Sequence, residues 1–358
     1  MTSRLDESRH ISAARLEAFI DRTFQAVGVP AEDAQTIAGL MTRIDLLGAD
    51  GHGIFRLAQY IRRIRAGGMN VSPDIRMVRE TDATALIDGD NGIGHLVVSR
   101  AARLAMEKAE KCGVAWAGTR NSNHAGAASI YARMPLERDM IGIYVAVGSA
   151  NHLPPWGGVD MLLSTNPIAV ALPALEEPPI VLDMATTVAA YGKVKTAAQR
   201  GETMPEGWMI DREGKPLTDP TRADEGFLLP IGGYKGYALA LVFGLLAGTL
   251  NGAAMGREVV DFNKDDTTPT NTGQLIIAVD IKVFADPDVF KRDVDRVIRE
   301  MRSSDRLPDV DRIRVPGEGS HAVFQERSRD GIPIPESLSR TLDGLASELA
   351  IPGLGEGG

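Results

Sequence analysis

Early in the chain, apolar residues recur three and four positions apart, the spacing that gathers side chains on one face of a helix. Leu16, Phe19, Ile20 and Val27 form one such set, and Ile37, Leu40, Met41 and Ile44 a second, with Gly28 and Pro30 between them. Ser12 is placed to cap the first helix, Gly28 to close it and Pro30 to restart the second. After the glycine-rich break GADGHG the helical spacing resumes at Ile54 and runs to AGG at Ala66 to Gly68. TALIDGDNGIG then reads as a strand running into a turn, and a helix is expected from about Leu96 to Lys111. Farther on the period changes. GVAWAG, IGIYVAVG, NPIAVALPA, PIVLDMA and QLIIAVDIKVF are short, continuous and rich in β-branched residues, as are strands of a sheet covered on both faces. The mixed charges from Asp286 to Arg314 predict an amphipathic helix and its exit loop, and LSRTLDGLASELAI a last helix. Together these pieces predict an α/β protein with a helical layer built partly from both termini.

One stretch departs from this pattern. Gly236 to Gly256, GYALALVFGLLAGTLNGAAMG, is uncharged over a length able to span a bilayer and spaces Gly244, Gly248, Gly252 and Gly256 four apart. In lipid that spacing makes a helix dimerisation face. Its Thr, Asn and Tyr residues and its small-residue end dilute the apolarity, so the expectation is a buried helix packed closely through its glycines.

Composition narrows the classes of function. With 44% apolar and 24% charged residues, the 358-residue chain has the balance of a soluble globular protein. A net charge of -9, from 39 Lys plus Arg against 48 Asp plus Glu, argues against nucleic acid or an anionic membrane as partner. A small anionic substrate is compatible with it, because a local Arg or Lys outweighs a mild global charge at contact distance. Cys112 is the only cysteine, which excludes an intrachain disulfide and a thiolate zinc cluster. The opening MTSRLDESRH has no apolar segment of a secretory signal, and the expected location is cytoplasmic.

Common cofactor signatures are missing. No G-x-G-x-x-G lies between a strand and a helix, and neither a P-loop nor a G-x-S-x-G elbow occurs. The histidines at 10, 52, 95, 124, 152 and 321 show no close pair at metal-binding spacing, so no metal is expected. What remains is a series of local constellations. In DGHGIFRLAQY, His52 and Arg56 are four apart at the expected start of a helix, where imidazole and guanidinium would suit a carboxylate. A capping loop with a surface arginine accounts for that spacing equally well. In NSNHAGA, His124 is flanked by Asn121, Ser122 and Asn123 and opens an expected helix whose N-terminus disfavours imidazolium. Histidine is the residue that exchanges protons near neutral pH, and a capping or core histidine is the alternative. Asp183 ends a strand that passes through two threonines into a helix, the position where open α/β sheets bind ligands. Lys235 sits between glycines in GGYKG, within reach of a ribose or phosphate, and Glu318 lies in the tight turn VPGEG.

Six segments, DGHGIFRL, NSNHAGAASIYA, STNPIAVALP, DMATTVAAYGK, GGYKGYALAL and VPGE, stand in one order between about Ile11 and Ile334. In that order they resemble the malate/L-lactate dehydrogenase family, oxidoreductases that lack the usual Rossmann fold. The resemblance implies an L-sulfolactate dehydrogenase-like fold: a mixed-sheet cofactor domain at 76–300, with helical segments at 1–75 and 301–358 joining in a second domain. It implies hydride transfer between NAD or NADP and a small 2-hydroxy or 2-oxo acid such as malate or lactate, or reduction of a cyclic imino acid. A non-catalytic small-molecule-binding relative is the remaining alternative. His124 matches the family's proton donor and acceptor, and His52 and Arg56 its substrate-binding pair. Ser149, Asp183, Met184, Ala185, Lys235, Gly317 and Glu318 match its cofactor contacts. Gly51 stands where the family often has Ser, and Thr187 where Ser is common. A homodimer or higher homo-oligomer is implied as well.

Overall fold

The computed structural model describes residues 9–355, and the polar opening segment before Arg9 lies outside the described residues. Ten helices among the described residues follow the chain as α1 (Ala13–Ala26), α2 (Ala31–Leu46), α3 (Leu57–Arg65), α4 (Gly94–Cys112), α5 (Ala128–Ala132), α6 (Tyr191–Arg200), α7 (Tyr234–Ala247), α8 (Pro287–Ser303), α9 (Glu318–Asp330) and α10 (Glu336–Leu349). Seven strands form the central sheet: β1 (Arg76–Glu80), β2 (Thr84–Asp88), β3 (Val114–Ser122), β4 (Met140–Ala146), β5 (Ile168–Leu172), β6 (Ile180–Met184) and β7 (Thr272–Asp280), in the order β1-β2-β3-β7-β4-β5-β6. Only the β2–β3 pair is parallel; its neighbours all run antiparallel. A parallel pair needs a long crossover, and α4 supplies it, closed by Gly113 at φ +83°. The sheet is therefore mixed and non-Rossmann, as the sequence implies.

Alternation along β7 builds two cores. Ile276 and Ala278 face α4 and α5 with Ala101, Ala105 and Ala128, whereas Leu275 and Ile277 face α7 with Val145 and Ala247. A third core joins the ends of the chain. Leu16, Phe19, Ile20 and Phe24 of α1, Ile37 and Met41 of α2, and Leu342 and Leu345 of α10 are buried together, and Arg9–Ile11 pairs antiparallel with Ile332–Ile334. Fully burying a Phe or Leu of this set contributes about 1.5–3 kcal/mol. Ser12 caps α1 as expected, its hydroxyl accepting the Arg15 amide at 3.4 Å.

Three local expectations are corrected. His52 and Arg56 do not open a regular helix: Asp50–His52 and Ile54–Arg56 are successive 3-10 turns, and α3 begins only at Leu57. The helix after His124 is a short one starting at Ala128, so His124 lies in a loop. The long apolar stretch is not a buried helix. It ends at Ala247, buries Gly236, Ala240, Gly244 and Ala247 against the sheet, and leaves Leu239, Val242 and Leu245 in solvent. Small residues let the helix press against the sheet, and that pushes its large side chains outward. No described helix is long and apolar enough to cross a membrane.

Candidate active site

The loop carrying His124 leaves the end of β3 and is held by backbone contacts. Asn123 is fully buried; its Nδ2 donates to the carbonyls of Asn91 and Gly92 at 3.0 Å, and its Oδ1 accepts from the Thr270 hydroxyl at 3.0 Å. Gln274 of β7 donates to the Asn123 carbonyl at 2.9 Å. Asn121 donates to the Asp88 carboxylate. These asparagines thus fix the loop, not the imidazole. Gly94 is required beside them, because a Cβ there would overlap the carbonyl oxygens of Asn123 and His124.

Imidazole contacts come instead from α3. The Tyr60 hydroxyl lies 2.5 Å from Nδ1 of His124, and the Gly126 amide donates to the same nitrogen at 3.4 Å. The His52 ring stacks on His124 with centroids 5.9 Å apart and planes 21° apart, and Phe262 lies 5.2 Å from it. Burial, then the charge of Arg56 and the neighbouring His52 and His95, holds His124 well below its usual pKa. Burial, then Arg56, lowers His52 to about 4. Both rings are neutral at physiological pH. The cause is desolvation beside a guanidinium, not the helix terminus expected from the sequence.

Asp45 of α2 sets the path of the two 3-10 turns. Its Oδ2 accepts the Ile54 amide at 2.8 Å, and a Cβ on Gly53 would overlap its carboxyl group. Burial pushes this carboxyl up to about 8, so it is protonated at neutral pH. Arg56 then spends two of its five N–H groups inside the protein: Nε donates to the Gly51 carbonyl at 2.9 Å and Nη1 to Asn263 Oδ1 at 2.7 Å. Its three other N–H groups, one on Nη1 and two on Nη2, have no partner among the described residues and remain for a carboxylate. Space around Gly51 is open, with nothing within 4 Å of a built Cβ, so the serine common at this position would fit.

His52 and His124 line a cavity of about 80 Å³, together with Tyr144, Gly148, Ser149, Thr165 and Gln274. Ser149 is therefore brought to the histidines, while its carbonyl accepts the Phe262 amide at 2.9 Å. Asp183 sits one strand farther out, at the end of β6, paired in register with Ala169. It stands in a recess surrounded by protein yet open to solvent, and its Oδ2 accepts the Ser129 amide at 3.0 Å. Met184 and Ala185 follow it, half-buried. Gly317 packs against Val181 of the same strand at φ +89°, and the Glu318 carboxylate pairs with Arg302 and Arg312 and accepts the Val315 amide. Lys235 is exposed on the first turn of α7. None of these last six lines the histidine cavity.

Tyr60, Asp45, Asn263 and Phe262 went unrecognised in the sequence. Only Tyr60 left a signal: positions 52, 56 and 60 are four apart, one face of a continuing helical path. Among the described residues, no cluster of three or more His, Cys, Asp or Glu is placed to hold a metal ion.

The class that fold and site define is a dehydrogenase acting on hydroxy acids, and comparison with known proteins agrees. The pattern of the family described as malate/L-lactate dehydrogenase matches residues 11–343, and the chain belongs to that family. It is 37% identical to a malate dehydrogenase of Pyrococcus horikoshii, with 95% of each chain covered. It is 39% identical to an L-sulfolactate dehydrogenase of Methanothermobacter thermautotrophicus, covering 93% of this chain and 95% of that one. The solved sulfolactate dehydrogenase of Methanocaldococcus jannaschii superposes with a TM-score of 0.89 at 37% identity, over 96% of this chain and 98% of the other.

Proposed function

We propose that the protein transfers a hydride between NAD or NADP and the C2 carbon of a small 2-hydroxy or 2-oxo acid such as malate or lactate, with His124 exchanging the hydroxyl proton. The observation that carries this is the meeting of two neutral imidazoles, His52 and His124, at one cavity, with the Arg56 guanidinium near enough for its charge to depress both. When bound, the nicotinamide supplies or accepts the hydride. Arg56 clamps the substrate carboxylate, His52 hydrogen-bonds the substrate, and His124 takes the hydroxyl proton in the oxidative direction and returns it in the reductive one.

A dinucleotide fits the residues assigned to it. Gly232 and Gly233 have φ of +58° and +66° and turn the backbone into α7, whose first amides, at Tyr234 and Lys235, have no carbonyl within the helix to bind. Those amides and the exposed Lys235 ammonium suit a phosphate. Ser149, Asp183, Met184, Ala185, Gly317 and Glu318 complete the proposed contacts. The Glu318 carboxylate is already engaged by two arginines, so its share falls to the turn's backbone. We assign residues 76–300 to the cofactor domain and 1–75 with 301–358 to the helical one.

The test is an absorbance screen at 340 nm. NADH and NADPH are run against 2-oxo acids and cyclic imino acids, and the oxidised cofactors against malate, lactate, sulfolactate and ureidoglycolate. Turnover of a 2-hydroxy or 2-oxo acid with one cofactor is expected. Silence across the panel, with no dinucleotide binding by calorimetry, would refute the reading.

We also assign the protein to the cytoplasm as a homodimer or higher homo-oligomer. The support for assembly is the outer face of α7 and the turn after it, where Val242, Leu245 and Leu250 are 51%, 43% and 62% exposed; contiguous apolar surface of this kind marks a contact. Light scattering after size exclusion is expected to give at least twice the chain mass. A clean monomer at high concentration sinks this assignment.

A further inference from the structure

Tyr60 is buried completely, and its ring is enclosed by Phe24, His95 and Phe262 at centroid distances of 6.3, 5.5 and 5.5 Å. No water-filled surface reaches it, so its hydroxyl must find its partners in protein. His124 Nδ1 is 2.5 Å away, and the Gly126 amide donates to that same nitrogen at 3.4 Å. An amide N–H is only a donor. Where it points at the pair, it needs lone pairs, and a proton on Nδ1 would face it with like polarity. Because the Gly126 N–H points at Nδ1, that nitrogen presents its lone pair, and the Tyr60 O–H is the group that donates to it.

We propose that Tyr60 is the positioning residue of this site: its O–H donates to Nδ1 of His124 and keeps the ring proton on Nε2, the nitrogen left for the substrate oxygen. This deepens the reading of His124 as the proton-exchanging group and rests on it for its consequence in turnover; the tautomer itself does not depend on that reading. The groups surrounding the pair offer no competing acceptor for a proton on Nδ1. His52 stacks face to face on His124, Arg56 carries only donors, Phe262 is apolar, and both nitrogens of the buried His95 make no hydrogen bond. Nδ1–H would have the phenol oxygen alone, and it would face the Gly126 N–H that points at the same nitrogen.

A neutral imidazole with its proton on Nε2 donates a hydrogen bond to the carbonyl oxygen of a bound 2-oxo acid and orients that carbonyl. For the oxidative direction Nε2 must be bare: the ring releases its Nε2 proton to solvent in the open cavity and takes one from solvent on Nδ1, and the Tyr60 hydroxyl serves both states because it can turn to accept from Nδ1–H. Phenylalanine at this position keeps the packing and serves neither state.

The experiment is long-range 1H–15N NMR on the whole protein labelled with [15N]histidine at neutral pH, with a His124→Asn variant to assign the resonances. Wild type is expected to show His124 as one tautomer, with a bare Nδ1 and a protonated Nε2. Tyr60→Phe is expected to show exchange between tautomers at His124. It should also lower kcat about tenfold, the value of one lost buried hydrogen bond, with KM within about twofold. A protonated Nδ1 in wild type overturns the proposal, as does a Tyr60→Phe protein that keeps either the single tautomer or full kcat. If that variant does not fold, the wild-type tautomer decides. If no substrate is turned over at all, the dehydrogenase reading fails while the tautomer is still read.

Discussion

Replacing His124 by alanine is expected to lower kcat by about 10²- to 10⁴-fold, the contribution of a positioned acid or base. Dinucleotide binding should stay within about twofold of wild type by calorimetry, because a residue that acts only on the reacting oxygen contributes to kcat and not to cofactor affinity. The pH profile carries the same assignment with a definite sign. Burial, followed by Arg56, His52 and His95, depresses the imidazole well below its usual 6.5. The neutral form, which is the base for oxidation, therefore persists as pH falls through the ordinary histidine range and is lost only at more acid values. The acid limb of kcat/KM for hydroxy-acid oxidation is expected below 6.5, and Arg56→Ala should move it upward by removing one source of the depression. Wild-type turnover in His124→Ala refutes the assigned base.

Arg56→Ala is expected to reduce kcat/KM by about a hundredfold or more, mostly through KM. Three N–H groups of Arg56 have no partner among the described residues, and two charge-assisted hydrogen bonds to a carboxylate contribute about 1.5–3 kcal/mol each. Each 1.36 kcal/mol is about tenfold in rate. Arg56→Lys should recover little of this, since Lys presents a point charge in place of a planar fork. It would also lose the Nε bond to Gly51 and the Nη1 bond to Asn263 that hold the group in place. A wild-type KM in Arg56→Ala would remove Arg56 from the substrate site.

Much of this site is legible in the chain because the relevant spacings are local. His52 and Arg56 are separated by a single turn, and the flanking glycines of Lys235 mark its loop without any tertiary information. Where the reading failed, the missing information was nonlocal. The sequence pairs His124 with Asn121 and Asn123 as neighbours, yet those side chains turn to Asp88, Asn91 and Gly92, and the imidazole is held from α3, more than sixty residues earlier. Nothing near Asp45 announces that it will catch the amide of Ile54. Likewise, Gly236 to Gly256 looks buried by composition, because hydropathy does not say which face of a helix the sheet will claim.

By itself the sequence determined the class of elements, the mixed α/β architecture implied by its ordered motifs, and the residue types able to bind a carboxylate and exchange a proton. Those follow from period, capping chemistry and the intrinsic properties of side chains, all set within a few residues. Only the tertiary structure decided that two histidines share one cavity, that burial beside Arg56 keeps both neutral, and that a tyrosine on α3 engages Nδ1 of His124. Proton affinity and tautomer are properties of the surroundings, and the surroundings of His124 come from α3, the loop at Phe262 and the start of α4, which only folding brings together.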